Sequence, residues 1–466
     1  MYDPNILSII PSLIAIVLAI VTRQVVISLG IGIWIGNCLL FEANPLSGLS
    51  LGIESIISVF GSASDTKVII FTLIIGGLIA TIERLGGVRG FISLLENKEW
   101  VDSPGKAKWL AYSTGIVVFI ESNITLLVAG SISRPLFDRY KIAREKLAYI
   151  IDSTAAPICI MIPLNAWGAL VIGLIAANGI EEPLQVFIHA IPFNLYPIIV
   201  ILFSAMVISF DIEIGPMRSA QQRTTQKNLG ESQFQQLVDD PLTKKEGDKA
   251  RYMLFPIAVM VLSMPICLYV TGEGDIMRGS GSTSVLWAVL LALLASWILG
   301  LHSRKISIDQ LMQVFLTGAG EFLPIAVILL FALALGDMAN LLGTGAYVAS
   351  LAQEALPLSL MLPLLFVTSS VIAFSIGSSW GTFAIMIPLS IQISLSLGVS
   401  PALFLASVLS GAVFGDHASP ISDTTVVASM ASGTDHIEHV KTQLPYALLS
   451  AAIATVGFYL LGIFSF

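Results

Sequence analysis

Apolar positions in this chain come in long, nearly unbroken runs, such as Ile6 to Val21 and Val68 to Ile82. They show neither the alternation of membrane strands nor the one-sided stripe of a soluble helix. At about 1.5 Å rise per residue, a hydrocarbon core about 30 Å thick takes about 20 apolar residues to cross. Spans are therefore predicted at 6–22, 24–41, 67–85, 146–178, 184–211, 252–270, 284–300, 322–342, 402–430 and 444–464. Two further stretches, 107–134 and 358–397, read as hairpins. The first is too short to cross twice, which takes about 40 residues. It is basic at both ends, at Lys106 and Lys108 and at Arg134 and Arg139, so it is expected to enter and leave on one face. The pattern predicts an all-α polytopic membrane protein with about ten transmembrane helices and two hairpins.

Composition points the same way, since 55% of the residues are hydrophobic and 12% charged, against about 25% charged in a soluble domain. The net charge of −8 matters less than where the charges lie. The loops at 23, 83–109, 134–146, 212–251, 301–309 and 431–443 share one side and hold 21 of the 23 Lys and Arg residues. Only Lys67 and Arg278 fall on the other side. The positive-inside rule makes the rich side cytoplasmic and both termini extracytoplasmic, in a bacterial inner membrane with lipid as the surroundings. The N-terminus lacks a basic n-region, so the first apolar stretch is expected to stay as a helix. Cys38, Cys159 and Cys267 sit inside apolar runs and read as small buried hydrophobes, not as a disulfide or metal set. No nucleic-acid partner and no cofactor are expected.

The polar segment 212–251 reads as a cytoplasmic linker between two halves, 1–211 and 252–466. The halves align at an offset of about 258, and their polar interruptions follow in the same order. Glu121-Ser122-Asn123-Ile124-Thr125 falls on Gly377-Ser378-Ser379-Trp380-Gly381-Thr382, and Asp152 to Pro157 falls on Gly415 to Pro420. Each half has five crossings, an odd number, so the second is inserted upside down relative to the first. Inverted repeats of this kind are typical of secondary transporters.

Hydroxyl-rich, helix-breaking backbone at membrane depth is tolerated only where protein buries it or a cavity adjoins it. Segments 146–178 and 402–430 exceed one crossing and suit a helix, break, helix arrangement, with breaks at Asp152–Pro157 and Gly415–Thr425. Unwound carbonyls and the oxygens of Ser122, Asn123, Thr125, Ser153, Thr154, Ser378, Ser379, Thr382, Ser419 and Ser422 are suited to replace the hydration shell of Na⁺. The ionisable groups there are Glu121, Asp152, Asp416, His417 and Asp423. A carboxylate at the bilayer centre costs at least about 2.5–3.5 kcal/mol. Each of these acids therefore either serves the ion or caps a half-helix. Asp152, Asp416, Asp423 and Asn123 are the candidate Na⁺ ligands, with Asp152 and Asp416 as a principal pair in nearly matching positions of the halves.

His417 either carries protons or is a hydrogen-bonded packing group. His302, His436 and His439 fall in loops near a membrane surface. Asp65 and Glu54 read as a solvated amphipathic stretch, and Asp337 as structural. No Lys or Arg falls at the breaks, which favours a cation as cargo. Helix N-termini hold carboxylates without basic side chains, so an anionic or amino-acid substrate stays open.

The run Ser407 to Thr425, with Gly415-Asp416-His417-Ala418-Ser419-Pro420-Ile421-Ser422-Asp423 at its heart, and the run Asp435 to Tyr446 resemble the NhaC family of Na⁺/H⁺ antiporters. The first half agrees through Arg144 to Pro157, and the likeness extends over about residues 50–450. The resemblance implies re-entrant hairpins with Ser-Asn-Thr tips such as Ser122-Asn123-Thr125, two broken helices, and an elevator movement of a transport domain against a scaffold in a homodimer. The chain departs from the family pattern at Ile120-Glu121-Ser122-Asn123, where an acidic pair is usual, and at Ala418, where a Cys is usual.

The expected function is Na⁺/H⁺ exchange, with both ions competing for the same buried carboxylates. The alternative is a Na⁺- or H⁺-coupled carrier of a small organic acid or amino acid on the same fold. No protease-like pairing of residues appears, so no enzyme activity is expected.

Overall fold

The computed structural model describes residues 3–465 apart from 23, 43, 97–101, 120, 164, 227–248, 275–278, 305, 348–349 and 351–356. Most of the expected linker 212–251 and Arg278 therefore lie outside the described residues. All described regular structure is helical. The first half runs α1 (Ile10–Thr22), α2 (Val25–Leu40), α3 (Pro45–Ser58), α4 (Ala63–Arg84), α5 (Gly87–Glu96), α6 (Pro104–Val117), α7 (Ser122–Arg139), α8 (Arg144–Cys159), α9 (Ala166–Ala177), α10 (Pro183–Ala190) and α11 (Leu195–Ser209). After α12 (Pro216–Gln226) come α13 (Arg251–Thr271), α14 (Gly281–His302), α15 (Ile308–Leu341), α16 (Met361–Ile376), α17 (Ser379–Leu397), α18 (Pro401–Ala418), α19 (Asp423–Ser432) and α20 (His436–Ser465). Among the described residues eight helices are long and apolar enough to cross a membrane, or up to ten when each of two bent pairs counts as one span. This is a multi-pass membrane protein.

Helix starts follow the local chemistry of orphan backbone donors. Ser103 and Ser400 each cap a helix that opens on proline, at α6 and α18, and Ser307 with Gln310 forms a capping box at α15. Helix pairs then approach backbone to backbone through glycine. A Cβ on Gly76 of α4 would lie 2.4 Å from the Gly318 carbonyl oxygen of α15, and one on Gly411 of α18 would lie 2.3 Å from the Phe366 carbonyl oxygen of α16. The two most enclosed helices are α8, with every residue from Lys146 to Pro157 buried, and α18. At the periphery α20 buries Tyr446, Ala454 and Phe458 and turns Leu449, Ile453, Val456 and Leu460 outward, an apolar face suited to lipid.

Two expectations change here. The segment 146–178 breaks at 160–165 and not at Asp152–Pro157, because α8 continues through Pro157 to Cys159. Asp65 is not solvated but 6% exposed, on the inward side of a first turn of α4 whose Ala63 stays exposed.

Basic charge is secured at the other end of α8. Lys146, 1% exposed, places Nζ 2.5 Å from Asp211 Oδ1 and 3.5 Å from Glu213 Oε1, and Lys108 Nζ lies 2.7 Å from the same Asp211 oxygen. Partial burial pushes the Asp211 carboxyl up, but the hydrogen bonds from Lys108 and Lys146 outweigh it and hold it below the ordinary range. What this carboxylate contributes to stability is therefore present above the ordinary Asp pKa of about 4 and fades as pH falls below it.

Candidate functional site: two hairpin tips on two helix breaks

The first tip lies between α6 and α7. Glu121 caps α7, its Oε2 accepting from the Ile124 N–H at 2.9 Å and its Oε1 from the Ser122 hydroxyl at 3.1 Å. Thr125 donates to the Glu121 carbonyl at 2.8 Å and faces the Val118 carbonyl, closing the turn. Asn165, the cap of α9, accepts from the Gly168 N–H at 2.9 Å and donates to the carbonyls of Phe119 at 2.9 Å and Cys159 at 2.8 Å. One buried amide thus ties the tip of the first hairpin to the first helix break.

The second tip lies between α16 and α17. Gly377, at φ +74°, ends α16, and a Cβ there would meet the Ile421 carbonyl oxygen at 2.6 Å, so this tip rests on the second break. Ser378 caps α17 by accepting from the Gly381 N–H at 3.4 Å, and Thr382 donates to the Ser378 carbonyl at 3.0 Å, as Thr125 does to Glu121. Ser379 donates to Asp416 Oδ2 at 2.6 Å, and Ser422 donates to Asp416 Oδ1. Asp416 is 1% exposed in the last turn of α18. Ser419 donates to the Phe374 carbonyl at 2.7 Å, which fastens the break to α16.

The two assemblies meet. Asn123 donates to Asp423 Oδ2 at 3.4 Å, while its own Oδ1 is buried without a partner. Asp423 is exposed and opens α19. Asp152, fully buried in α8, accepts from Gln443 Nε2 at 2.8 Å through Oδ2, and its Oδ1 has no partner. The same Gln443 nitrogen donates to the His417 carbonyl at 2.5 Å. His417 is held at both ring nitrogens, Nδ1 at 2.6 Å from the Tyr196 hydroxyl and Nε2 at 3.2 Å from the Ser153 hydroxyl.

Glu121, Ser122, Asn123 and Asp423 thus gather at one point, Ser379, Ser422 and Asp416 at a second, and Asp152, Ser153 and His417 at a third. Thr154 is spent on its own helix, donating to the Ile150 and Ile151 carbonyls at 2.9 and 3.1 Å. Asp152 and Asp416 do not occupy matching places: the first sits mid-helix in α8, the second at the end of α18. Among the described residues no group of three or more His, Cys, Asp and Glu side chains forms a metal-holding cluster. The oxygens on offer are instead dispersed hydroxyls, amides and carboxylates. The basic partners of other acids lie elsewhere, with Lys108 and Lys146 on Asp211, Arg144 on Asp138 and Arg223 on Glu438. A carboxylate set of this kind attracts a cation.

Residues that pattern reading missed are Asn165, Tyr196, Gln443 and His439. Gln443 and His439 lie in the Asp435–Tyr446 run singled out in the sequence, which was their one signal. His439 is not in a surface loop but fully buried inside α20.

The sequence matches the Na⁺/H⁺ antiporter family over residues 158–463. It is 33% identical to an uncharacterised protein of Haemophilus influenzae across 99% of this chain and 92% of that one. It is 30% identical to the malate-2H⁺/Na⁺-lactate antiporter of Bacillus subtilis across 37% of this chain and 38% of that one. The fold is similar to that of the YdaH transporter of Alcanivorax borkumensis, with a TM-score of 0.57 at 15% identity over 89% of this chain and 88% of that chain.

Proposed function

We propose, from the premise that this chain belongs to the Na⁺/H⁺ antiporter family, that it exchanges Na⁺ for H⁺ through the acids at its hairpin tips and helix breaks. One observation carries the reading: Asn123 of the first tip reaches Asp423 at the second break, Ser379 of the second tip reaches Asp416, and Glu121, Asp152, Asp416 and Asp423 are all partnered by hydroxyls and amides. Na⁺ and protons compete for these carboxylates, so occupancy by one empties the other, and coupling follows from competition alone. Ser122, Ser379 and Ser422 supply hydroxyl oxygens bonded to the acids and Asn123 an amide beside Asp423, while Thr125, Thr154, Ser378 and Thr382 shape the backbone around them.

The separation from Glu121 to Ser378 recurs from Thr125 to Thr382 and from Asn165 to Ser422; the first two pairs make the same hydrogen bonds, and Asn165 and Ser422 each precede the helix after a break, which supports an inverted repeat of 1–211 and 252–466. The bonding of both tips to both breaks supports their moving together, elevator-fashion, against α4 and α13–α15. A second reading, coupled transport of a small organic acid, draws on the name of the Bacillus subtilis relative.

Purified protein in proteoliposomes is expected to acidify or alkalinise the lumen when a Na⁺ gradient is imposed without any organic solute. Proton flux that appears only with malate, lactate or an amino acid present would assign the second reading. For orientation, a cysteine at Ser219 is expected to react only from the cytoplasm and one at Ser280 only from outside, both positions being exposed. Labelling with the sides reversed would invert the whole topology.

A further inference from the structure

From the end of α11 into α12 the chain ties three other helices together. Asp211 sits at φ +50°, in the left-handed region that Asp and Asn adopt more readily than other side chains. At this turn its carboxylate meets amines from two separate helices, Lys108 of α6 and Lys146 of α8. Lys146 is 1% exposed, and Asp211 and Glu213 are its acidic partners. A buried ammonium stripped of its counter-charge is costly, so this turn and the start of α8 hold each other in place.

The same segment grips α20. The Ile214 N–H donates to the Tyr446 hydroxyl at 2.7 Å, and that hydroxyl donates to the Ile212 carbonyl at 3.3 Å. In α12, Gln221 accepts from the Ala143 N–H and donates to the Lys141 carbonyl, both at 2.9 Å, in the turn before α8. Arg223 donates to Glu438 of α20 at 3.0 Å and to Glu145 of α8 at 3.5 Å, while Met217 and Ala220 of α12 are buried. Both gripped helices carry the site. Asp152 is six residues beyond Lys146, about 9 Å along α8, and Gln443 is three residues before Tyr446, about 4.5 Å along α20. A slip between α8 and α20 of one residue's rise, about 1.5 Å, would stretch or misalign the 2.8 Å bond from Gln443 to Asp152.

We propose that residues 211–223 form a clasp that keeps α8 and α20 in the register at which Gln443 meets Asp152, with Asp211 as a positioning residue for the Na⁺ site. The clasp rests on the Na⁺/H⁺ reading and adds to it a control point that touches none of the acids at the tips and breaks. Releasing it weakens Na⁺ binding in two ways of the same sign. Gln443 no longer fixes the carboxylate whose Oδ1 is left without a partner. Lys146, without its counter-charge, adds positive potential that opposes a cation at the far end of the same helix.

Asp211→Asn tests the clasp, because Asn also tolerates the left-handed turn and only the charge is removed. In reconstituted protein at constant pH, the half-saturating Na⁺ concentration is expected to rise at least about threefold while maximal exchange stays within about twofold, a split that general damage to the fold would not give. A smaller rise, or a larger fall in maximal exchange, would overturn the clasp and leave the antiport reading standing. Absence of Na⁺-driven proton flux in the unsubstituted protein would instead overturn that reading. Should Asp211→Asn fail to fold, Tyr446→Phe decides by the same criterion, since it keeps the buried ring and removes only the hydroxyl that holds Ile212 and Ile214.

Discussion

Replacing Asp416 with Asn is expected to abolish Na⁺-driven proton exchange while the protein stays folded and inserted. Both carboxylate oxygens accept from hydroxyls, Ser379 at 2.6 Å on one side and Ser422 on the other. A hydroxyl can turn from donating to accepting, so an amide fits the same space and leaves no orphaned group. What the substitution removes is charge, in a place that is 1% exposed and where bare water cannot substitute for it. Exchange is expected to fall at least about a hundredfold, equivalent to about 2.7 kcal/mol. The same outcome is expected for Asp152→Asn, whose Oδ1 has no partner to lose and whose Oδ2 can keep Gln443. Proteoliposome flux, with size-exclusion profiles as the control for folding, decides the matter. Near wild-type exchange in either variant makes that residue a structural group and removes it from the ion path.

Apparent Na⁺ affinity is expected to weaken as pH falls. Na⁺ needs the site negative, and each competing proton neutralises one unit of that charge, so the bound Na⁺ population follows the fraction of empty proton sites. Below the titration point of the competing group the half-saturating Na⁺ concentration rises about tenfold per pH unit for one proton, about 1.4 kcal/mol each, and above it the curve flattens. Two competing protons would double the slope, so the measurement also reads the stoichiometry. Constant affinity from pH 6 to 9 would mean that Na⁺ and protons do not exclude one another.

Much of the fold was legible because the bilayer imposes a length rule that a linear chain cannot hide. The runs at 67–85, 252–270 and 284–300 become α4, α13 and α14 almost residue for residue, and the arms of the second hairpin are α16 and α17. The breaks were legible only in part. Pro157 suggested an interruption at 152–157, yet α8 carries it inside and unwinds after Cys159, where Asn165 takes up the freed Cys159 carbonyl.

By itself the sequence determined what short-range physics controls: an all-helical membrane chain with polar interruptions, and a motif shared with a transporter family. Tertiary structure decided which polar groups meet. In a helix that is apolar on nearly every side, no period marks the face that will be buried, so nothing along the chain distinguishes His439, read as a surface group, from the fully buried ring beside Asp152. Nor could spacing show that Thr125 and Thr382 bond their own turns while Ser379 reaches across to Asp416, because a hydroxyl's partner depends on which helix lies opposite. That arrangement comes from packing α16 against α18 and α7 against α19, contacts between residues far apart in the chain.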